Sequence, residues 1–313
     1  MPRFGFYLSL QHPAGRDPRD LVRERLELVA LVREAGFDSV FAGQHFLVPG
    51  EVQMLQPVPM LGRVAAEAGG MTLGTAVLIT TLLNPVEVAE NAATLAALAP
   101  GRFVRGAGAG YRREEDAAFG VGADRIRVFE DKLRVIRRLL AGEQVTASGR
   151  GYRLEGASLT LRPEPRPDLW VAATTEGGIE RAAELGDAWL IAPSTTVAEI
   201  RRGRELLVDR LGGPPRELPA LREAVVAATD AEAAALAVPF LDPRGTSSAG
   251  RVPLEAGRYI VGGPQRAAGE LEALLDAGVD HVIFRVQRPG VSHRDAMRTL
   301  ELLASNVIPL LVH

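Results

Sequence analysis

A histidine near the N-terminus is the first candidate for chemistry. His45 lies in the stretch Phe41-Ala42-Gly43-Gln44-His45-Phe46, just beyond a short apolar run that is typical of a buried strand. An imidazole titrates near neutral pH, so a histidine at a strand end suits a general acid or base, or a hydrogen-bond donor to a ligand. A histidine that only packs in a loop is the alternative. The chain has only five histidines, and we predict a functional role for His45.

A second group of residues has the chemistry of an anion site. The stretch Thr174–Gly178 (Thr-Thr-Glu-Gly-Gly) lies between a predicted strand and a predicted helix. Hydroxyl groups and the free amides of a helix N-terminus bind anions, although a simple N-cap explains the threonines equally well. Arg125 and Arg127 stand at the start of the preceding predicted helix. The N-terminal end of a helix carries partial positive charge, so a cation there is unfavourable unless a nearby anion offsets the repulsion. For each arginine, a solvated surface charge is the alternative.

A glycine-rich run follows the fourth predicted strand. Gly106, Gly108 and Gly110 alternate with alanines, but their spacing is not that of the G-x-G-x-x-G fingerprint of dinucleotide-binding folds. The next residues, Tyr111–Glu115, do not form an apolar helix face. We therefore reject a dinucleotide-binding fold. Glycines at a strand end let a flat ligand or another backbone approach closely, so Gly108 is a candidate cofactor contact.

The elements that would position these residues repeat along the chain. A helix-like stretch ends at Gly36, at Gly186 and at Gly278, and a short run of β-branched or aromatic residues follows each glycine. Glycine is the favoured left-handed residue just past a helix. Helix starts are marked by Asn84-Pro85 and by the capping-box spacing of Thr196 with Glu199, which Thr229 and Glu232 repeat. This is the pattern of alternating strands and helices.

We predict a single α/β domain over residues 1–313, a TIM (β/α)8 barrel with an inserted hairpin and a lid-like loop. The insertions are 143–167, which we interpret as the hairpin, and the Pro- and Gly-rich segment 239–263, which we interpret as the loop. The predicted strands are 3–10, 37–42, 71–78, 102–108, 168–173, 187–192, 221–228 and 280–286. The predicted helices are 17–35, 57–69, 85–98, 124–141, 177–185, 196–211, 230–238, 264–277 and 293–306.

Composition excludes several functions. The 313 residues carry a net charge of only −3, which argues against nucleic acid as a partner. Lys132 is the only lysine, which argues against Schiff-base chemistry. Cysteine is absent, so thiolate and disulfide chemistry are excluded and a reducing compartment is indicated. Neither a metal-binding motif nor a G-x-S-x-G elbow occurs. Residues 1–6 lack the apolar core of a signal peptide and no run of about 18 apolar residues exists, so we expect no membrane span and a cytoplasmic protein.

An ordered series of short motifs resembles the bacterial luciferase-like flavin monooxygenases nearly from end to end. The resemblance implies a TIM barrel, usually dimeric, that binds a flavin at its C-terminal mouth. We expect a homodimer formed through helices 57–69 and 85–98. The motifs that carry the resemblance are Leu73–Leu78, Asn84–Ala89, Gly101–Phe103, Phe119–Val121 and Asn306–Pro309, with Phe4-Gly5 and Gly36–Asp38 before them.

The resemblance also implies roles for individual residues. His45 matches the histidine near the reacting end of the flavin, and Ala76–Val77 matches a non-proline cis peptide behind the ring system. Arg125 matches an arginine that pairs with the cofactor phosphate, and the matching phosphate loop consists of Thr174, Thr175, Gly177 and Gly178. Two positions depart from the pattern, because Ala109 replaces an arginine of the luciferases and Gln44 replaces a common acidic residue.

The first functional hypothesis is a two-component monooxygenase. Reduced FMN from a separate flavin reductase would react with oxygen to form a C4a-hydroperoxide, which oxidises an organic substrate. Phe6, Leu8, Phe41 and Ile191 would line a largely apolar substrate pocket. The alternative is a dehydrogenase or reductase that uses the deazaflavin F420 for hydride transfer, and a second alternative is a non-catalytic flavin-binding protein.

Overall fold

Parallel strands form the centre of the molecule. The computed structural model describes residues 1–99, 101–238 and 258–311. Its strands in chain order are β1 (Arg3–Tyr7), β2 (Gln11–Pro13), β3 (Ser39–Ala42), β4 (Val52–Met54), β5 (Thr72–Thr75), β6 (Leu78–Ile79), β7 (Phe103–Gly108), β8 (Val145–Gly149), β9 (Tyr152–Ala157), β10 (Asp168–Ala173), β11 (Ala188–Ile191), β12 (Pro219–Val226), β13 (Tyr259–Gly262) and β14 (His281–Arg285).

Helices follow most of these strands. In chain order they are α1 (Pro18–Glu34), α2 (Pro57–Ala65), α3 (Pro85–Leu98), α4 (Arg113–Ala118), α5 (Arg125–Leu140), α6 (Glu176–Leu185), α7 (Val197–Leu211), α8 (Asp230–Leu236), α9 (Pro264–Asp276) and α10 (His293–Leu302). A π-helical turn over Leu303–Val307 continues α10. In the described ranges, every helix is too short or too polar to cross a bilayer.

Eight of the strands close into a parallel barrel. Their order is β1-β3-β5-β7-β10-β11-β12-β14, and β14 pairs with β1 to close the ring. Gly5 is in register with Ser39 on one side of β1, and Arg3 is in register with His281 on the other. The predicted TIM barrel is confirmed, so the C-terminal ends of the strands share one face, where the enzymes of this fold carry their active sites.

The predicted helix caps are formed. The Asn84 side chain accepts a hydrogen bond from the Val86 amide at 2.9 Å, with Pro85 as the first helical residue. Thr196 and Glu199 make a reciprocal capping box at the start of α7. Each cap satisfies amide groups that the helix itself leaves without partners.

The three glycine junctions use two different mechanisms. Gly36 and Gly278 have φ values of +79° and +94°, so they are the left-handed residues that the sequence predicts. Gly186 has φ −106°, and the prediction of a left-handed glycine there is wrong. A Cβ at Gly186 would lie 2.9 Å from the carbonyl oxygen of Ala182 and 3.0 Å from Val171. Close packing of the chain, rather than backbone handedness, requires a glycine at this position.

The structure confirms the prediction for one inserted segment and corrects part of the prediction for the other. The predicted hairpin within 143–167 is formed by β8 and β9, which pair antiparallel. The predicted loop 239–263 is wrong at its C-terminal end, because Tyr259–Gly262 forms β13 and pairs in parallel with the end of β12. The strand contains Tyr259, Ile260 and Val261, and its neighbour β12 is buried along its whole length. The remainder of that segment, 239–257, lies outside the described residues.

A charged cluster closes the opposite end of the barrel. Glu217, only 3% exposed, accepts hydrogen bonds from Arg3 at 2.9 Å, from Arg102 and from the Trp170 indole at 2.8 Å. Burial alone would raise the pKa of Glu217, but these donors lower it to about 2. This end of the barrel therefore holds charges that stabilise the fold, and enzymes of this fold carry their active sites at the other end.

Candidate active site

A cavity of about 490 Å³ opens among the C-terminal ends of the barrel strands. Its walls come from the ends of β1, β5, β7, β10, β11, β12 and β14 and from the loop after β3. The predicted site residues that line it are His45, Ala76, Val77, Gly108, Arg125, Thr174, Thr175, Gly178 and Ile191. The fold thus brings most of the residues selected from the sequence into one place.

The wall at β5 and β7 is built from backbone rather than from long side chains. The peptide bond between Ala76 and Val77 is cis, as the resemblance implies. A Cβ on Gly108 would lie 2.5 Å from the Val77 side chain, and a Cβ on Gly43 would lie 2.8 Å from the Ala76 carbonyl oxygen. Glycines at these two positions therefore let the backbone pack closely against the cis peptide, and we call this wall of Gly43, Ala76, Val77 and Gly108 the cradle.

His45 is held by a carboxylate. Its Nδ1 lies 3.1 Å from Oε1 of Glu115, and the same oxygen accepts the Phe46 amide at 2.7 Å. Because that oxygen accepts from an amide, we assign the Nδ1 proton to the bond with Glu115. His45 Nε2 lies on the other edge of the ring, 3.4 Å from the hydroxyl oxygen of Tyr111, a residue that also lines the cavity.

Glu115 is the main functional residue that sequence reasoning missed. It is 1% exposed and lies on the short helix α4, in a stretch that we interpret from sequence as a charged segment without an apolar face. Arg112 binds the carbonyl oxygens of Phe46 at 2.9 Å and of Leu47 at 3.3 Å, and its Nη1 lies 3.5 Å from Oε1 of Glu115. Arg112 and Glu115 thereby fix the backbone on which His45 stands. The spacing of three residues between Arg112, which precedes α4, and Glu115 in its first turn was the available signal.

The environment of His45 favours its neutral form. Burial lowers the pKa of His45, the Glu115 carboxylate opposes this, and Arg112 and Arg285 add to the lowering. A neutral imidazole with Nδ1 held as a donor has its acceptor electron pair on Nε2, the atom that the Tyr111 hydroxyl approaches. His45 Nε2 can therefore accept a proton from a group in the cavity.

Tyr7 and Arg285 form a second polar wall. The Arg285 guanidinium lies 5.3 Å from the centre of the Tyr7 ring, and Glu223 lies 3.5 Å from the same guanidinium. Desolvation raises the pKa of the Tyr7 phenol, and Arg285 partly opposes this effect. Both residues also line a small polar cavity of about 50 Å³ that adjoins His45. This wall suits an oxygen-bearing substrate better than an apolar one.

The anion-binding residues lie around the N-terminus of α6. Thr175 caps this helix and accepts a hydrogen bond from the Gly178 amide at 3.3 Å. Arg125 lines the same part of the cavity, pairs with Asp116 at 3.1 Å, and keeps a buried Nε without a hydrogen-bond partner in the described part of the chain. Arg181, which sequence reasoning missed, also lines the cavity and lies one helical turn beyond Gly178. Helix amides, hydroxyls and two guanidinium groups together fit a phosphate.

Four of the predicted site residues do not line the cavity. Phe6 and Leu8 are fully buried in the layer between strands and helices, because alternation along β1 points Tyr7 rather than its neighbours into the barrel. Phe41 packs inside the barrel against Trp170, with ring centroids 5.1 Å apart, and does not line the cavity. Gly177 is exposed in the first turn of α6, outside the cavity lining.

A family model and two enzymes are similar to this chain. A family model described as "Luciferase-like monooxygenase" matches residues 1–281. An F420-dependent glucose-6-phosphate dehydrogenase of Beutenbergia cavernae is 35% identical over 71% of this chain, and the match spans 62% of the relative's length. An enzyme of the same name from Kineococcus radiotolerans is 30% identical and is matched over 89% of this chain and 90% of its own.

Solved structures show the same fold. The monooxygenase RslO1 from Streptomyces bottropensis superposes with a TM-score of 0.84 at 21% sequence identity. The superposition covers 99% of this chain and all of the other. At this level of identity the similarity establishes the barrel fold alone, and the chemistry must be argued from the site itself.

Proposed function

Since the chain belongs to the luciferase-like monooxygenase family and is an oxidoreductase, we propose that it is an F420-dependent dehydrogenase that oxidises a hydroxyl-bearing substrate by hydride transfer. The observation that carries the proposal is the pair of His45 and Glu115 at the cavity wall, with His45 Nδ1 held by the carboxylate. Removal of a hydride from an alcohol requires that the hydroxyl proton leaves as well. A positioned neutral imidazole provides the base for that proton.

The similar proteins favour the deazaflavin over FMN. Both relatives described above are named F420-dependent dehydrogenases, and one of them aligns over nine-tenths of its length. The FMN monooxygenase that the resemblance first suggests has less support, because the likeness to RslO1 is at 21% identity and concerns the fold. The alternative hypothesis of the sequence analysis is therefore the one we adopt.

The residues around the cavity fit a deazaflavin 5′-phosphate. Gly43 and Gly108 pack so closely against the Ala76–Val77 peptide that a Cβ at either position would clash, so no side chain projects from these two positions at this wall of the cavity. Thr174, Thr175 and the amides at the start of α6 would hold the phosphate, with Arg125 supplying charge. When bound, F420 supplies a two-electron acceptor for hydride. The protein then has to orient the substrate and move one proton.

The chain's own residues divide that task. His45 Nε2 accepts the hydroxyl proton of the substrate as the C–H bond loses its hydride, and Glu115 stabilises the resulting imidazolium at 3.1 Å. Tyr7 and Arg285 stand where they can donate to substrate oxygens. Glucose 6-phosphate is the first substrate to test, because the similar enzymes are named for it.

Cofactor identity is tested by binding and turnover under matched conditions. Purified protein is titrated anaerobically with F420, FMN and reduced FMN, and fluorescence reports binding. Loss of the visible absorbance band of F420 on addition of glucose 6-phosphate, or of a member of an alcohol panel, is the expected result. Tight preference for reduced FMN, followed by a transient peroxyflavin spectrum with oxygen, would contradict the proposal and support a monooxygenase.

The role of His45 is tested by replacement with alanine. General-base catalysis contributes about 10²- to 10⁴-fold, so His45→Ala should lose about that factor in kcat. The dissociation constant of F420 should change little, because His45 holds neither the phosphate nor the cradle around the cis peptide. Equal loss of turnover and of cofactor binding would refute the assignment. His293→Ala provides a control, since His293 pairs with Glu27 on the surface.

A further inference from the structure

Tyr111 lies at the junction of the main cavity and the small polar cavity beside it. The side chains that line both cavities are Tyr7, His45, Tyr111 and Arg285. The proposed reaction gives a role to the other three and none to Tyr111. At 45% exposure, Tyr111 can be reached by a ligand in the cavity.

The chain holds Tyr111 in place from both sides. Gly110, the residue before it, has φ +77°, a left-handed conformation that turns the backbone beyond β7. Arg112, the residue after it, binds two carbonyl oxygens in the segment that follows His45. The Tyr111 ring packs edge to face against the His45 ring, with centroids 5.5 Å apart and planes at 80°. These contacts hold the phenol beside the imidazole.

The Tyr111 hydroxyl donates to the basic nitrogen of His45. The phenol oxygen lies 3.4 Å from Nε2. Nε2 is the acceptor in this bond, because Glu115 holds the Nδ1 proton. The phenol therefore engages the electron pair that the reaction needs. A substrate hydroxyl reaches Nε2 either after the ring has moved away or through the phenol oxygen, and the packing of the ring favours the second route.

The surroundings of Tyr111 suit a group that passes a proton on. Burial raises the pKa of the phenol, Arg285 partly opposes this effect, and Glu115 adds to the increase. The phenol is therefore protonated at neutral pH and is no base in its own right. It can accept a proton from a substrate only while it gives its own proton to His45.

We propose that Tyr111 is a further catalytic residue, which relays the proton of the substrate hydroxyl to His45. The inference rests on the proposed function and deepens it. As the substrate C–H bond gives up its hydride to the two-electron acceptor, the deazaflavin, the substrate O–H bond breaks and its proton binds to the phenol oxygen. The phenol O–H bond breaks in the same step, and that proton binds to Nε2. The step leaves a carbonyl compound, the reduced acceptor, a neutral phenol and an imidazolium paired with Glu115.

The hydrogen bond is tested in protein without cofactor or substrate. A donor to Nε2 stabilises the neutral imidazole, so Tyr111→Phe should raise the pKa of His45 by about half a pH unit to one pH unit in an NMR titration. The resonance that is missing in His45→Ala identifies His45 among the five histidines. An unchanged or lower pKa would overturn the relay. The charged and titratable groups that also face the ring, and that the variant leaves in place, are Glu115, Arg112, Arg285 and Tyr7.

Turnover separates a relay from a binding role. Tyr111→Phe keeps the ring against His45 and loses only the hydroxyl, so kcat should fall at least about tenfold while KM changes less than about threefold. Tyr152→Phe is the matched control, because Tyr152 lies on the hairpin strand β9 and lines neither cavity. An unchanged kcat, with or without a rise in KM, would overturn the relay.

The number of moving protons is measured on the wild-type protein. A relay moves two protons during hydride transfer, so the single-turnover rate in mixtures of H2O and D2O should follow a curve against the deuterium fraction. A straight line, which a single moving proton produces, or the absence of an isotope effect would overturn the relay and leave the F420 dehydrogenase intact. Failure of every alcohol tested to reduce F420 would refute the proposed function itself, and the relay with it.

Discussion

Replacement of Glu115 by glutamine isolates the electrostatic contribution of the carboxylate. Glutamine keeps the volume of the buried side chain, and its carbonyl oxygen can still accept from the Phe46 amide and from His45 Nδ1. The negative charge that stabilises an imidazolium is lost. The backbone around His45 should remain in place, because Arg112 still binds the carbonyl oxygens of Phe46 and Leu47.

The expected loss in rate follows from one hydrogen bond. Oε1 of Glu115 accepts from His45 Nδ1 at 3.1 Å, and this bond strengthens when the imidazole becomes charged. The bond from the Phe46 amide at 2.7 Å is the same before and during the reaction, so its weakening affects stability and not rate. A hydrogen bond to a charged group contributes roughly 1 kcal/mol more than a neutral one. If the transition state carries the imidazolium, kcat/KM falls about fivefold. Affinity for F420 should not change by a comparable factor.

A pH profile of kcat/KM distinguishes this role from simple positioning. His45 acts in its neutral form, so the rate rises with pH through the pKa of His45. Because Glu115 opposes the lowering of that pKa, its removal should move the acidic limb of the profile to lower pH and reduce the plateau. An unchanged limb, or a limb moved to higher pH, would refute the reasoning. Glu114→Gln serves as the control, since the Glu114 side chain is 72% exposed.

Two further predictions concern the cradle and the charged end of the barrel. Gly108→Ala should weaken F420 binding about tenfold or more in a fluorescence titration, because the new Cβ would lie 2.5 Å from Val77, whereas Gly177→Ala, with open space around it, should not. Glu217→Gln should lower the free energy of unfolding by about 3 kcal/mol at pH 7. The folded-state pKa of Glu217 is lowered to about 2, so this stabilisation exists above the ordinary value of 4.5 and disappears as the pH falls from there to 2. Chemical denaturation at both ends of that range should therefore show a difference between the two proteins that shrinks with acid, and an equal difference at both pH values would contradict the assignment.

The barrel follows from local signals that were readable in the chain. Caps such as Asn84 and Thr196 satisfy amides within a few residues of themselves, so sequence spacing alone specifies them. Gly186 was misread because its requirement comes from packing against Ala182 and Val171, which only the folded chain brings close. Likewise, β13 pairs with β12, which lies more than thirty residues earlier in the chain, and a local sequence pattern does not predict a partner at that distance.

The sequence predicted the cavity residues that follow the ends of strands. It did not predict which side chains of a strand point into the barrel and which point toward the helices. His45, Thr174 and Thr175 follow strands, and any barrel brings strand ends together. Phe6 was selected because its apolar character suggested a pocket, yet it packs in the layer between strands and helices, whereas Tyr7 lines the cavity. A shift of one residue along a strand reverses which face a side chain occupies.

The two ends of the main cavity carry different chemistry, and this asymmetry orients whatever binds there. His45 follows β3, whereas Thr174 follows β10, and only β5 and β7 lie between those strands in the barrel. Three steps of about 4.8 Å between neighbouring strands separate the two positions by about 14 Å around the barrel, a length that suits a flavin-sized ligand. The residues at the ends of the intervening strands include the cis peptide and Gly108, which line the cavity between the two positions. A phosphate drawn to the N-terminus of α6 therefore directs the other end of the ligand toward His45, and reversal would place that phosphate against the Glu115 carboxylate.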